Sequence, residues 1–144
     1  MTTPLIRQLA ELAQGLSARL EFVVSQSDMN LFAQLSGDTS RIHHDENFAK
    51  HNGYTGPVVY GALIVARLSQ MLGMQMPGDL GLATDWEIHF HQPLYVDEPA
   101  LLSAQIKSRS NATSTVKIVF DVRADERLIA KGTARSMLLA GQNN

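Results

Sequence analysis

The chain has 144 residues, 44% of them hydrophobic and 18% charged, with a net charge of −2 at pH 7. That is the length of one domain and a composition too apolar for disorder, and the charge balance gives no sign of a nucleic-acid binder. The lack of cysteine excludes a disulfide framework, a thiolate metal site and a cysteine nucleophile, and leaves the compartment open.

Residues 1–14 read as an N-terminal extension ahead of one domain over 15–144. Leu5, Leu9 and Leu12 share a helical face, which predicts a short amphipathic helix. Arg7, Gln8 and Glu11 interrupt the apolar run that a signal peptide needs. The longest apolar stretch, Val58 to Val65, is too short to span a bilayer. These features set the expectation of a soluble, cytoplasmic protein with no membrane partner.

Residues 18–24 carry Phe22, Val23 and Val24 and predict a strand. Ser27 and Asp28 offer an N-cap for a helix over MNLFAQLS, ended by Gly37. Residues 38–56 are polar and turn-rich and read as a loop with one short helix. Pro57 is expected in the first turn of a long helix through VVYGALIVARLSQMLGMQM, where its missing N–H costs nothing. Arg67 is the one charge in that segment, so the helix should be buried nearly all round. Pro77 and Gly78 end it. Over 82–91, Trp86, Ile88 and Phe90 alternate with Glu87, His89 and His91, a strand that Pro93 breaks or bends at a bulge. Residues 100–108, 114–123 and 127–139 are three more strands. One apolar helix with consecutive antiparallel strands gives an α+β fold, with the sheet wrapped around the helix.

Chemistry concentrates in residues 32–69. Asp38 and His43 lie five apart in a loop that follows a helix, and loops on a rigid scaffold are where reactive groups tend to sit. A carboxylate and an imidazole together can divide acid and base work. Spacing alone suits a plainer and commoner arrangement too, with Asp38 capping a turn and His43 packed as a polar core residue.

The stretch Phe32, Leu35, Ser36, Gly37, Asp38, Thr39, Ser40, Arg41, Ile42, His43, with Ala49 further on, resembles the signature of the MaoC-like (R)-specific enoyl-CoA hydratases, a hotdog-fold family. The start of the long helix, Pro57, Val58, Val59, Tyr60, Gly61, Ala62, resembles a second motif of the same family. The resemblance implies a hotdog fold with an antiparallel sheet around one central helix. It matches Asp38 and His43 to the catalytic pair, and the Gly61 N–H to the donor that holds the thioester oxygen. It places Ser69 and Tyr60 beside the substrate. Ser40 and Arg41 stand where the family has Asn-Pro, and Tyr60 where it has His.

The activity implied is reversible syn hydration of a trans-2-enoyl thioester to an (R)-3-hydroxyacyl thioester. In that scheme Asp38 takes a proton from the attacking water, and His43 orients the water and passes a proton to C2. No metal or redox cofactor is called for. Coenzyme A or a phosphopantetheinyl acyl carrier protein enters as part of the substrate. The departures keep two other readings in view, an acyl-CoA thioesterase and a non-catalytic acyl-thioester-binding subunit; the Asp-x4-His pair favours the hydratase. Hotdog proteins usually pair, so a 144-residue chain with little room for a cleft of its own is expected to work as a homodimer.

Seven of the 12 Lys and Arg residues follow residue 100: Lys107, Arg109, Lys117, Arg123, Arg127, Lys131 and Arg135. They read as solvated strand faces, or as a patch for ligand phosphates or an acidic carrier. His89 and His91 form an H-x-H pair with no third ligand nearby in sequence to complete a metal site. His44 and Asp45 read as surface, and His51 as a solvated loop residue. Met71, Met74 and Met76 read as core or acyl-pocket lining, and Trp86 as a core or interface anchor.

Overall fold

Strand β1 (Ser17–Phe22) pairs with β3 (Ala100–Ser110), which pairs with β4 (Thr115–Ala124), then β5 (Arg127–Leu138), then β2 (Gly81–Phe90), all antiparallel. The computed structural model describes residues 2–141. Along β3 and β4 alternate residues are buried, Leu102, Ala104 and Ile106 beside Val116, Ile118 and Phe120, as a sheet with one covered face requires. The cover is α3 (Gly61–Met74), which buries Ile64, Leu68, Met71 and Leu72 in the same core. This is the α+β hotdog arrangement expected from the sequence.

Helix α1 (Gln26–Ser36) starts earlier than expected. Its cap is Ser25, whose hydroxyl accepts the Asp28 N–H at 3.1 Å while Asp28 accepts the Ser25 N–H at 2.9 Å. This reciprocal box satisfies two donors at once and outcompetes a cap at Ser27 or Asp28. Gly37 ends α1 as expected, in the left-handed conformation at φ 75°.

The long helix starts later than Pro57. Val58 forms a β-bridge with Tyr95, and the Val59 N–H donates to the Leu94 carbonyl at 2.9 Å. Those bonds hold residues 58 and 59 extended, so α3 begins at Gly61 with Tyr60 as its cap. Nor is α3 buried all round: Ala62, Ala66, Ser69 and Gly73 form an exposed stripe.

The N-terminal residues differ from a detached amphipathic helix. Only Leu9–Glu11 make a single 3₁₀ turn. Leu12 is fully buried in the core, and the Leu5 N–H donates to the Met74 carbonyl at 2.9 Å. This segment closes the end of the domain where α3 stops. Trp86 is not a core residue: it lies on edge strand β2 and is 41% exposed. Met71 and Met76 are buried, as expected of core methionines.

Candidate active site

Asp38 follows the Gly37 turn directly. The Ser36 hydroxyl donates to the Phe32 carbonyl at 2.7 Å and accepts the Asp38 N–H at 3.1 Å, which ties the loop to the last turn of α1. One carboxylate oxygen of Asp38 accepts both the Ser40 hydroxyl at 2.6 Å and the Ser40 N–H at 3.0 Å. These two bonds, the hydroxyl first, hold the exposed Asp38 carboxyl below its ordinary pKa, with a smaller contribution from positive charge on His43 and His44. Arg41 reaches away from the site: it pairs with Asp45 at 2.9 Å and lies over the Phe48 ring at 4.4 Å. Asp45 in turn caps α2 (Glu46–His51) through the Phe48 N–H. The loop therefore hangs between two helices, although its residues 40 and 41 lack the stiffness of proline.

His43 ends a 3₁₀ turn over Arg41–His43. Its Nδ1 lies 2.6 Å from the Val58 carbonyl oxygen. A carbonyl only accepts, so Nδ1 carries the proton and Nε2 is the nitrogen left to exchange protons with a ligand. The Val58 N–H donates back to the Ile42 carbonyl at 3.0 Å. Arg127 donates to the Pro93 carbonyl at 2.7 Å and pairs with Glu98, outside the clasp itself.

Tyr60 is 2% exposed. Its ring stacks on the His43 imidazole at 3.9 Å between centroids and meets Phe32 at 4.7 Å. Its hydroxyl donates to the Asp38 carbonyl at 2.5 Å and lies 2.6 Å from His44 Nε2. His44, exposed as expected, thus has a role that the sequence did not reveal: its partner is 16 residues away, and no short-range pattern marks the pair.

Gly61 is the first residue of α3, so its N–H has no acceptor within the helix and stands at the positive end of the helix dipole. An ideal Cβ at this position would lie 2.9 Å from the Phe90 ring. The loop and the helix start therefore bring Asp38, His43, Tyr60 and Gly61 into one region. Ser69 lies about two turns further along α3, on the exposed stripe, and its side chain makes no hydrogen bond among the described residues.

The basic C-terminal strands do not converge on this region. Arg123 pairs with Asp121 at 3.6 Å, Arg127 with Glu98, and Arg109 donates to the carbonyls of Leu9 and Ala10. Lys117 and Arg135 line a shallow pocket of about 270 Å³ with Ser108, Ser110 and Thr115. Register puts Arg135 beside Asp85, toward the end of β2 opposite Phe90. His89 lies 3.0 Å from Glu87 on the outer face of β2, and no group of three or more His, Asp or Glu among the described residues is placed to hold a metal ion. No described helix is long and apolar enough to cross a membrane.

The profile of the MaoC like domain matches residues 8–127. An (R)-specific enoyl-CoA hydratase of Rhodospirillum rubrum is 24% identical over 138 residues, covering 89% of this chain and 96% of its own. One of Aeromonas caviae is 28% identical over 108 residues, covering 72% and 81%. The solved (R)-hydratase from A. caviae involved in PHA biosynthesis superposes with a TM-score of 0.84 at 24% identity, over 88% of this chain and 97% of that one.

Proposed function

The chain belongs to the MaoC-like domain family, and from that premise we propose that it catalyses reversible syn hydration of a trans-2-enoyl thioester to an (R)-3-hydroxyacyl thioester. The observation that carries this reading is the clasp between the Asp38–His43 loop and the start of α3. One hydrogen bond there, to the carbonyl of Val58 three residues ahead of Gly61, fixes His43 with Nε2 as its working nitrogen, and the Gly61 N–H has no acceptor within the helix.

In the hydration direction, a water positioned by Asp38 and His43 forms its O–C3 bond and gives a proton to the Asp38 carboxylate. The C2=C3 electron pair moves toward C2 and the thioester carbonyl, and the Gly61 N–H supports the negative charge that develops on oxygen. His43, as imidazolium, delivers its Nε2 proton to C2. Return of a proton from Asp38 to Nε2 through water resets the pair, so the sum is the addition of one water. The lowered pKa of Asp38 keeps it as the carboxylate, the form that can accept a proton, while making it a weaker base than an ordinary carboxylate. The carrier is coenzyme A or a phosphopantetheinyl carrier protein, present as part of the substrate. We assign the working unit as a homodimer.

The test is incubation with crotonyl-CoA while enoyl absorbance and free thiol are followed together. Loss of absorbance without thiol release is expected. Thiol release marks a thioesterase instead, and silence with both CoA and carrier-protein substrates of several chain lengths marks a non-catalytic binding subunit. Asp38→Asn and His43→Ala are each expected to lower hydration at least about 100-fold. A fully active Asp38→Asn variant overturns the assignment.

A further inference from the structure

We propose that Tyr60, held from behind by His44, is the positioning residue that locks the Asp38–His43 loop onto the start of α3. Three observations converge on this one side chain. Its hydroxyl bonds the backbone of residue 38, its ring covers the imidazole of residue 43, and its oxygen meets the side chain of residue 44. Its own backbone is the cap from which Gly61 starts the helix. Tyr60 thus touches the loop at both ends and adjoins the third candidate group in the chain.

The direction of the relay follows from donor and acceptor chemistry. The Asp38 carbonyl accepts, so the Tyr60 hydroxyl proton points to it. The Tyr60 oxygen is then left as an acceptor for His44, which must carry a proton on Nε2. The chain reads His44 Nε2–H to Tyr60 O–H to Asp38 C=O. His43 and His44 therefore hold opposite nitrogens protonated when neutral, Nδ1 in the first and Nε2 in the second. The Tyr60 hydroxyl is raised above its ordinary pKa, first by burial and then by the Asp38 charge, so it stays a donor through the neutral range. Ser40 and Arg41 bond to side chains of their own neighbourhood, Asp38 and Asp45, and do not bridge the loop to α3. Tyr60 does.

This inference rests on the hydratase reading for its kinetic arm alone. Tyr60→Phe keeps the ring stack and removes both hydroxyl bonds. It is expected to lower kcat roughly 10- to 100-fold, the scale set by small misplacements of reacting groups, with KM within about twofold. Because the side-chain hydrogen bond of His44 runs to the Tyr60 oxygen, Tyr60→Phe/His44→Ala should be little slower than Tyr60→Phe alone. Two residues acting independently would give additive losses instead. The second arm needs no activity. Nitrogen-15 NMR of the wild type should show His44 as the Nε2–H tautomer, Tyr60→Phe should release it to a mixture, and amide exchange across residues 38–44 should quicken. Wild-type hydration with an unchanged Tyr60→Phe rate overturns the positioning role and leaves the function standing. A wild type that hydrates nothing sinks the function, while the tautomer and exchange data still decide the relay. A His44 tautomer indifferent to Tyr60→Phe overturns the relay in either case.

Discussion

Ser40 gives both its hydroxyl and its N–H to the same oxygen of Asp38, at 2.6 and 3.0 Å. The residue that stands where the related motif has Asn thereby lowers the pKa of the carboxylate it neighbours. A lowered folded-state pKa means that Asp38 favours the fold above the ordinary carboxylate pKa, and that this contribution is lost as pH falls through the lowered value. Activity has the same sign, because only the carboxylate takes a proton from water. Ser40→Ala removes the stronger of the two bonds and lets the Asp38 pKa rise. The acid limb of the kcat/KM profile should then move to higher pH, with the rate near neutrality little changed. A profile that does not move, measured with a saturable enoyl thioester, separates Asp38 from the acid limb.

Gly61 is required by proximity rather than by backbone conformation. A Cβ there meets the Phe90 ring at 2.9 Å, and that ring is a side chain with 52% exposure and room to turn. Gly61→Ala should therefore fold with a melting temperature within a few degrees of wild type. On the proposed reading its kcat should nevertheless fall at least roughly 10-fold, because a methyl group beside the helix N–H narrows the approach to it. Phe90→Leu added to Gly61→Ala should relieve the ring contact without restoring the rate. Full recovery of rate in the double variant would place the fault in Phe90 and remove Gly61 from the site.

The N-terminal residues are part of the domain, and stability measurements can show it. Leu12 is fully buried, whereas Leu5 is 46% exposed. Leu12→Ala should cost about 2–5 kcal/mol in urea unfolding, the range for a buried leucine, and Leu5→Ala well under 1 kcal/mol. For a chain of this size, each kcal/mol is roughly 2–4 °C in melting temperature. A Leu12→Ala cost near that of Leu5→Ala would return residues 1–14 to the status of a dispensable extension.

The order of elements was legible because each strand and helix carries its own periodicity, and the strand bounds over 100–139 are close to those observed. Errors arose where a distant partner overrode local preference. Pro57 is a sound helix opener, yet Tyr95 and Leu94 hold Val58 and Val59 extended, and the helix waits for Gly61. The alternation of Trp86, Ile88 and Phe90 was correct; register opposite Ala134, Gly132 and Ala130 sets these side chains on the helix side of the sheet. How far α3 covers that strand is a matter of tertiary geometry that no alternation encodes. Asp38 and His43 stand out in the sequence by resemblance to a motif; Tyr60 stands out as a departure from it and beside the expected substrate, and nothing in the sequence marks it as the residue that joins them. Its partner His44 lies 16 positions away and had no sequence mark at all.

Edge strand β2 carries the last expectation. One of its sides pairs with β5, and the other side is free among the described residues. Leu82, Trp86 and Phe90 are 50%, 41% and 52% exposed along it, and an open edge with large apolar side chains invites pairing with another chain. Phe90 also touches the space over Gly61, so a copy joined there would border the site and give a chain of 144 residues the wall it lacks alone. Light scattering should return twice the chain mass of 15.8 kDa. Trp86→Glu should shift the population toward monomer and lower hydration with it, because it puts a charge on a half-exposed position of the open edge strand, outside the Asp38–His43 loop. If the wild type scatters as a monomer at assay concentration and hydrates crotonyl-CoA at full rate, the single chain is sufficient and β2 is a solvent edge. If Trp86→Glu stays dimeric, the pairing runs through a different surface.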